Sequence, residues 1–135
     1  MNNRFKFRVW DVKNKKFLPE SYFAILGNGK LIVTLSGYYN DFTNTNQDDY
    51  AVQQYTGLTD SNDDPIYEGD ILMYKSGSIS TTGVIGQVLY EADEGGYIFQ
   101  WERKGPNQNY KNLNCDVAFE SVIVGNIFEH SELLK

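Results

Sequence analysis

Few side chains of this chain have the types and spacing that metal binding or catalysis requires. Asp60, Asn62 and Asp64 stand at alternate positions, as the first ligands of an EF-hand calcium loop do. Pro65 stands where that loop needs a glycine for its sharp turn, and Ile71 stands where it needs a bidentate Glu. Both flanks have the residue types of strands rather than helices. We therefore expect a hairpin turn rich in Asx residues here, with no metal.

No catalytic signature accompanies the residues that could act as nucleophile or base. His130 is the only histidine and Cys115 the only cysteine, and neither stands in an elbow or triad pattern. We expect His130 to be a solvated surface side chain, while a pairing with Cys115 or with a nearby serine stays open. Two of four further carboxylates could also serve as an acid–base pair, although their spacing is that of charged turns: Glu68, Asp70, Glu91 and Asp93. The glycine patterns that bind phosphate are absent, so we predict no catalytic residue and no cofactor.

The charge balance opposes binding to nucleic acid or to anionic membranes. The formal net charge is −6 and the pI is about 4.7, so the long-range field repels polyanions. Solvated strand edges and a hairpin turn explain the basic residues near the N-terminus better than a binding patch does: Arg4, Lys6, Arg8, Lys13, Lys15 and Lys16. A single cysteine, no signal-peptide pattern and no apolar run of membrane-spanning length predict a cytoplasmic protein.

The N-terminal half carries β-forming residues in short runs. Residues 4–11 place Phe5, Phe7 and Val9 on one face, which is the period of a half-buried strand. An Asn-Gly pair at positions 28–29 separates two β-rich runs, and both of its residues tolerate positive φ. We predict a strand followed by a hairpin.

Residues 36–49 differ from their flanks, because they are polar, rich in turn-forming types and free of aliphatic side chains. We expect a long loop. Its three aromatic residues have no evident site of burial, and exposed aromatics anchor protein partners or stack on bases. Folding over the edge of the sheet is the alternative explanation. The candidate partner contacts are Tyr38, Tyr39 and Phe42.

The C-terminal half predicts a second hairpin and a final strand. Residues 82–91 alternate, and the strand after the next turn has aromatic residues on one face: Tyr97, Phe99 and Trp101. Residues 113–120 fit either a helical turn or a strand, residues 121–128 form a β-branched strand, and Ser131 is expected to cap a last turn. About eight or nine strands with very little helix favour a meander or a small barrel.

Three stretches of the chain resemble the YopX-like phage proteins. Residues 5–11, FKFRVWD, look like that family's opening, KFRAWD. Residues 54–60, QYTGLTD, and 65–72, PIYEGDIL, resemble its central block, QYTGLKDKNGKEIYEGDIV. Residues 124–134, VGNIFEHSELL, look like its close, VIGNIYENPELL. Residues 63–65 depart from the family's NGKEI turn by losing a glycine, while they keep turn chemistry.

The resemblance implies a mainly β fold with little helix. An N-terminal strand and hairpin region, residues 1–55 with the polar loop 36–49, would precede a C-terminal SH3-like small barrel, residues 56–135, the two sharing one core. In the family's Glu-Gly-Asp turn, Gly69 permits a kink and Asp70 can accept hydrogen bonds from local amides. We expect an architectural role for the motif residues: Gln54, Tyr55, Thr56, Gly57, Leu58, Tyr67, Glu68, Gly69, Asp70, Gly125 and Asn126.

The resemblance supplies no activity. It implies a protein encoded by a phage or prophage, and we expect a non-enzymatic accessory protein of the bacterial cytoplasm that binds another protein or itself as a homo-oligomer. SH3-like barrels are common binding modules, although that argument rests on fold alone. The alternative is a nucleic-acid-binding protein of phage replication or transcription control, which the basic N-terminal strand supports and the acidic total opposes.

Overall fold

A computed structural model describes residues 4–34, 36–38, 42–43, 45–75, 83–101 and 109–135. This part of the chain is mainly β, with one α-helix, which confirms the predicted fold class. Its contacts divide the chain into two compact units, residues 6–54 and residues 55–135, the second joined by Arg4 and Phe5. The boundary predicted after residue 55 and the shared core stay predictions. No helix of the described residues is long and apolar enough to cross a membrane.

The smaller unit is built from short antiparallel strands. Its elements are β1 (Phe7–Asp11), β2 (Lys16–Phe17), β3 (Phe23–Ile25), β4 (Leu31–Thr34), β5 (Phe42–Thr43) and the first half of β6 (Tyr50–Thr59). Strand β1 lies between β2 and β6, and β4 lies between β3 and β5. Its core cluster centres on Val9, Leu31 and Val33.

The predicted apolar face of the first strand is only partly buried. Val9 is fully buried, but Phe5 is 63% exposed, because it precedes the first paired residue of β1. Trp10, on the opposite face, is buried too, and its ring lies edge-on to Phe17 with centroids 4.9 Å apart. Both faces of β1 are therefore covered near Trp10, which strict alternation does not predict.

The Asn-Gly hairpin is confirmed, with a longer turn than the pair alone suggests. Strands β3 and β4 pair in the register Phe23↔Val33. The Gly29 N–H donates to Leu26 O at 2.8 Å, and the Leu26 N–H donates to Lys30 O at 2.9 Å. Gly29 has φ +84° and Asn28 does not have positive φ. The connection is thus a three-residue turn with glycine in the left-handed position.

The described part of residues 36–49, predicted as a loop, contains β5 and a 3-10 turn, Gln47–Asp49. Side chains tie it to β4. The Gln47 amide accepts a hydrogen bond from Leu31 N at 3.0 Å and donates one to Leu31 O at 2.9 Å. Thr45 Oγ1 accepts a hydrogen bond from Val33 N at 2.9 Å. These side chains take the place of a neighbouring strand along part of β4.

The larger unit is a five-stranded antiparallel sheet with a short helix. It contains the end of β6 and then β7 (Pro65–Tyr67), β8 (Asp70–Tyr74), β9 (Val84–Glu91), β10 (Gly96–Gln100), β11 (Tyr110–Asn112), α1 (Cys115–Phe119) and β12 (Ser121–Asn126). The sheet order is β11-β10-β9-β8-β12. A meander followed by a helical turn and a strand that returns beside the first is the strand order of an SH3-like barrel.

The core of this unit lies on one face of the sheet, as the predicted aromatic stripe indicates. Its fully or nearly fully buried members are Ile66, Leu72, Tyr74, Val88, Phe99, Val117 and Ala118. Residues 113–120, which fitted either a helical turn or a strand, contain the helix α1, and Asn114 caps it by accepting a hydrogen bond from Val117 N at 2.9 Å. The expected cap at Ser131 is wrong: His130 occupies the cap position of the last turn, without a side-chain cap bond.

Candidate binding surface

The turn between β7 and β8 is held by hydrogen bonds on three sides. Asp70 Oδ2 accepts one from Tyr67 N at 2.8 Å, as predicted. Gly69, with φ +85°, donates through its N–H to Val88 O at 2.8 Å, and its carbonyl accepts from Ile127 N at 2.9 Å. The turn is therefore fixed against β9 and against the residue that follows β12. Glu68 is the residue of this turn that precedes Gly69.

Two tyrosines lie next to this turn on the core face of β9 and β10. Tyr90 and Tyr97 are directly paired across the two strands, so that their side chains share a face. Their rings lie edge to face, with centroids 5.5 Å apart and an interplanar angle of 76°. Tyr90 is 53% exposed and lies beyond Val84–Gln87, the stretch of β9 that pairs with β8. The sheet thus presents an exposed aromatic side chain on backbone that is paired to β10.

The charge of Glu68 acts on Tyr97, one member of this pair. Burial, the carboxylate of Glu68 and the phenol of Tyr90 together raise the pKa of Tyr97 above its usual value. Glu68 is therefore close enough to interact with the Tyr97 phenol. We call Glu68, Tyr90 and Tyr97 the Glu68–Tyr90–Tyr97 row, since one lies in the turn before β8, one on β9 and one on β10.

The sequence did not predict this row. Tyr97 was expected on one face of a strand and residues 82–91 were expected to alternate, but no pairing of Tyr90 with Tyr97 was inferred. The signal was present in the hairpin: a turn from Ala92 to Gly95 sets Glu91 opposite Gly96, and hence Tyr90 opposite Tyr97. The position of Glu68 follows from contacts distant in sequence, which no local pattern contains.

Another exposed tyrosine of this unit lies on the opposite face of the sheet. Tyr110 pairs with Gln100, and its hydroxyl donates a hydrogen bond to Glu94 Oε1 at 2.8 Å. That bond and the charges of Glu94 and Glu91, with a contribution from burial, raise the pKa of Tyr110. Its hydroxyl is therefore held within this unit.

The structure describes two of the three predicted partner contacts. Tyr38 is 70% exposed, and its N–H donates to Ser36 Oγ at 3.2 Å. Phe42 is half-buried in β5, where it pairs with Thr34. Tyr39 lies outside the described residues. All three contacts stay predictions.

The residues considered for metal binding and catalysis have structural partners. Asp60 Oδ1 accepts hydrogen bonds from Asn62 N and Asp64 N, both at 2.9 Å, and Oδ2 accepts one from Ile123 N at 3.0 Å. The Asx-rich hairpin turn is thus confirmed, with Asp63 at φ +65°. Within the described ranges, no group of three His, Cys, Asp or Glu side chains could hold a metal ion.

His130 is not the solvated side chain that we expected. It is partly buried, and its Nδ1 accepts a hydrogen bond from Asn126 N at 3.2 Å. Cys115 is exposed at the start of α1. His130 therefore takes part in the turn that follows β12.

A family comparison covers almost the whole chain. The family model described as YopX protein matches residues 6–135. The chain belongs to the YopX family. No curated protein matches it. Among solved structures, the crystal structure of protein EF1440 from Enterococcus faecalis is similar, with a TM-score of 0.54 and 23% identity over 96% of this chain and 97% of that one. At this identity the likeness shows the fold alone.

The central motif of this YopX-family protein forms the β6–β7 hairpin. Tyr55 pairs with Tyr67, and their rings are 5.7 Å apart. Thr56 Oγ1 donates a hydrogen bond to Ile66 O at 2.8 Å. Gly57, with φ +88°, lies in the stretch where the pairing register shifts, and Leu58 packs on the core of the larger unit. Gln54 precedes this hairpin and pairs with Phe7 in the smaller unit.

The closing motif of the YopX-family chain meets the central one. Asn126 pairs with Asp70 in the β8–β12 register. Asn126 Oδ1 accepts hydrogen bonds from Phe128 N at 3.0 Å and from Glu129 N at 2.9 Å, and Nδ2 donates to Glu129 Oε1 at 3.0 Å. Gly125 lies at a shift in register. The motif residues of the two blocks therefore meet around the Glu68 turn, and their architectural role stays our interpretation.

Proposed function

We propose that this protein is a phage- or prophage-encoded accessory protein of the bacterial cytoplasm that acts by binding another protein, or a second copy of itself, and not by catalysis. The phage origin rests on the resemblance of its motifs to the YopX-like phage proteins. The binding role rests on one observation, the Glu68–Tyr90–Tyr97 row with Tyr90 half exposed on β9 and paired to Tyr97 of β10.

Rigid exposed tyrosines are effective anchors for a protein partner. They bury a large area at a low cost in conformational entropy, and few residues usually carry most of the binding energy of an interface. The backbone of Tyr90 is paired to Tyr97 of β10, and its ring is restrained by the Tyr97 ring. Two residues earlier on β9, Val88 O accepts the Gly69 N–H, which anchors this end of the strand. Much of the ordering cost of binding is therefore met before the partner arrives.

Capture from a lysate of the bacterial host tests this proposal. The tagged full chain is compared with Tyr90→Thr, which keeps a β-branched residue on the strand. Light scattering of both proteins measures their oligomeric state and so tests self-association. We expect Tyr90→Thr to lose a captured protein or an oligomer that the unchanged chain forms. An unchanged set of captured proteins, with both chains strictly monomeric at high concentration, would overturn the proposal.

Nucleic-acid binding is the second candidate, because the N-terminal residues combine charge with an exposed ring. The Arg4 guanidinium lies 4.9 Å from the centroid of the Phe5 ring, and both residues are exposed. Arg8, in contrast, is engaged by Gln53 Oε1 at 2.7 Å and lies over the Phe17 ring. Fluorescence anisotropy with labelled DNA and RNA at low salt tests nucleic-acid binding. If neither binds at micromolar protein, this candidate function is eliminated.

A further inference from the structure

We infer that the Glu68–Tyr90–Tyr97 row recognises an arginine side chain presented by the protein partner. This inference rests on the proposed binding function and adds the chemistry of the ligand. An arginine guanidinium stacks on the face of a tyrosine ring and forms hydrogen bonds with a carboxylate. The row offers both groups close together, because the Gly69 N–H that follows Glu68 donates to Val88 O, two residues before Tyr90 on β9.

The two rings leave room for such stacking. In an edge-to-face pair, one ring covers at most one face of the other, so the 76° angle between Tyr90 and Tyr97 leaves ring surface that the pair itself does not cover. More than half of Tyr90 is exposed, which places part of that surface in solvent. A planar cation can therefore reach the Tyr90 ring without rearrangement of the sheet.

The charge around the row favours a cation. Residues 83–101, which contain β9, β10 and their connecting turn, include Glu91, Asp93 and Glu94 and no Lys or Arg. Asp93 and Glu94 are exposed on the turn that begins two residues after Tyr90. Lys111 is the one cation on the described strands of this sheet; it pairs with Phe99, and its Nζ lies 5.9 Å from the centroid of the Tyr74 ring. The carboxylates of Glu68, Asp93 and Glu94 thus favour the approach of a positive ligand.

Arginine fits this site better than lysine does. Its guanidinium is planar, weakly hydrated and able to stack while its N–H groups point at a carboxylate. The Glu68 carboxylate has several acceptor positions, so it can accept from a ligand while it keeps its contacts within the chain. A lysine ammonium would satisfy the carboxylate but gain less from the ring.

The test uses defined peptides and the full 15N-labelled chain. Acetyl-GRGRG-amide is titrated by NMR beside the same peptide with citrulline, which keeps the shape of arginine but lacks its charge. We expect amide shifts centred on residues 68, 90 and 97, and roughly tenfold weaker binding of the citrulline peptide. Tyr90→Thr and Glu68→Gln should each weaken binding of the arginine peptide at least several-fold. Ile85→Thr, which changes an exposed residue on the opposite face of β9, should leave that binding unchanged.

Equal binding of the citrulline peptide, or shifts confined to residues 92–94, would overturn the inference. So would arginine binding that Glu68→Gln and Tyr90→Thr leave unchanged. If Tyr90→Thr still abolishes capture of a lysate protein while the arginine peptide fails to bind, the proposed function stands and only the arginine ligand is wrong. If basic residues of a second copy fill the site, Glu68→Gln will dissociate an oligomer that the unchanged chain forms, with the row again as the receptor.

Discussion

The imidazole of His130 occupies the space that a side chain on Gly125 would need. A Cβ on Gly125 would lie 2.7 Å from Cβ, Cγ and Nδ1 of His130. The ring is held there because Nδ1 accepts the Asn126 N–H and because His130 N donates to Asn126 O at 2.9 Å. The glycine of the Val-Gly-Asn segment is therefore required by close packing, since Gly125 does not have positive φ.

Gly125→Ala should lower the free energy of unfolding by about 2 kcal/mol, because the new methyl group forces either the His130 ring or β12 to move. Urea unfolding followed by tryptophan fluorescence measures this change. Gly96→Ala is the matched control in a strand, since its Cβ would meet no atom within 4 Å and its φ is ordinary. We expect the control to lie within about 0.5 kcal/mol of the unchanged protein. Equal effects of the two substitutions would contradict this account of Gly125.

Asp60→Ala should cost about 3 kcal/mol of stability, because three backbone N–H groups lose a charged acceptor and the Ile123 N–H lies on the edge strand β12. The Ser61 N–H also donates to Ser121 O at 2.9 Å, so the Asp60 turn covers part of that edge. Hydrogen exchange of the Ile123 amide should accelerate together with the loss of stability. Asp64→Ala, in the same turn but exposed, is the control. A variant of Asp60 as stable as that control would refute the edge-capping role.

Asp11 should make the stability of the chain sensitive to acid. Burial raises its pKa, but the Asn14 side chain at 2.7 Å, backbone N–H groups and the charge of Lys16 outweigh burial, so the pKa lies below its usual value. A lowered pKa stabilises the fold above the unfolded-state value of about 3.9, and this contribution is lost as pH falls through the folded-state value. Asp11→Asn should therefore be less stable by about 1 kcal/mol at neutral pH. Urea titrations at several pH values should show the difference in free energy of unfolding between the two proteins narrowing below about pH 4. A difference that stays constant with pH would contradict a lowered pKa of Asp11.

Glu68→Gln should lower the pKa of Tyr97 and leave that of Tyr110 unchanged, because the charge of Glu68 is one of the causes that raise the first. Glu94→Gln should lower the pKa of Tyr110 and leave that of Tyr97 unchanged, since Glu94 accepts a hydrogen bond from the Tyr110 hydroxyl. NMR titration of 13Cζ-labelled tyrosines resolves both groups. If Glu68→Gln leaves the pKa of Tyr97 unchanged, Glu68 does not lie beside the two tyrosines as the row requires.

Local signals predicted the local structure. The Asn-Gly pair gave the β3–β4 hairpin, the alternation from residue 84 to Trp101 gave the second hairpin and its core face, and the Glu-Gly-Asp turn gave the Asp70 hydrogen bond. Each depends on residues close in sequence, where turn chemistry and the period of two apply. The resemblance to the YopX-like proteins added the order of the larger unit.

Contacts between distant segments were not predictable in the same way. Gln47 and Thr45 are polar loop residues by composition, yet their side chains bind the backbone of β4. His130 is an unremarkable polar residue near the end of the chain, and only the bulged end of β12 gives it a partner. The Glu68–Tyr90–Tyr97 row joins a turn to two strands. None of these contacts leaves a periodic pattern in the sequence.

The most direct test of the binding role is a quantitative comparison of three full-length baits in host lysate: the unchanged chain, Tyr90→Thr and Ile85→Thr. The two substitutions remove exposed side chains from opposite faces of β9. Ile85→Thr should keep its stability within about 0.5 kcal/mol, and Tyr90→Thr, which loses the ring contact with Tyr97, within about 1.5 kcal/mol. Mass spectrometry should find a protein, or untagged copies of this chain, captured equally by the unchanged and Ile85→Thr baits and reduced at least about tenfold by Tyr90→Thr, a loss typical of one anchor residue. The same capture by all three baits would contradict a function that works through Tyr90.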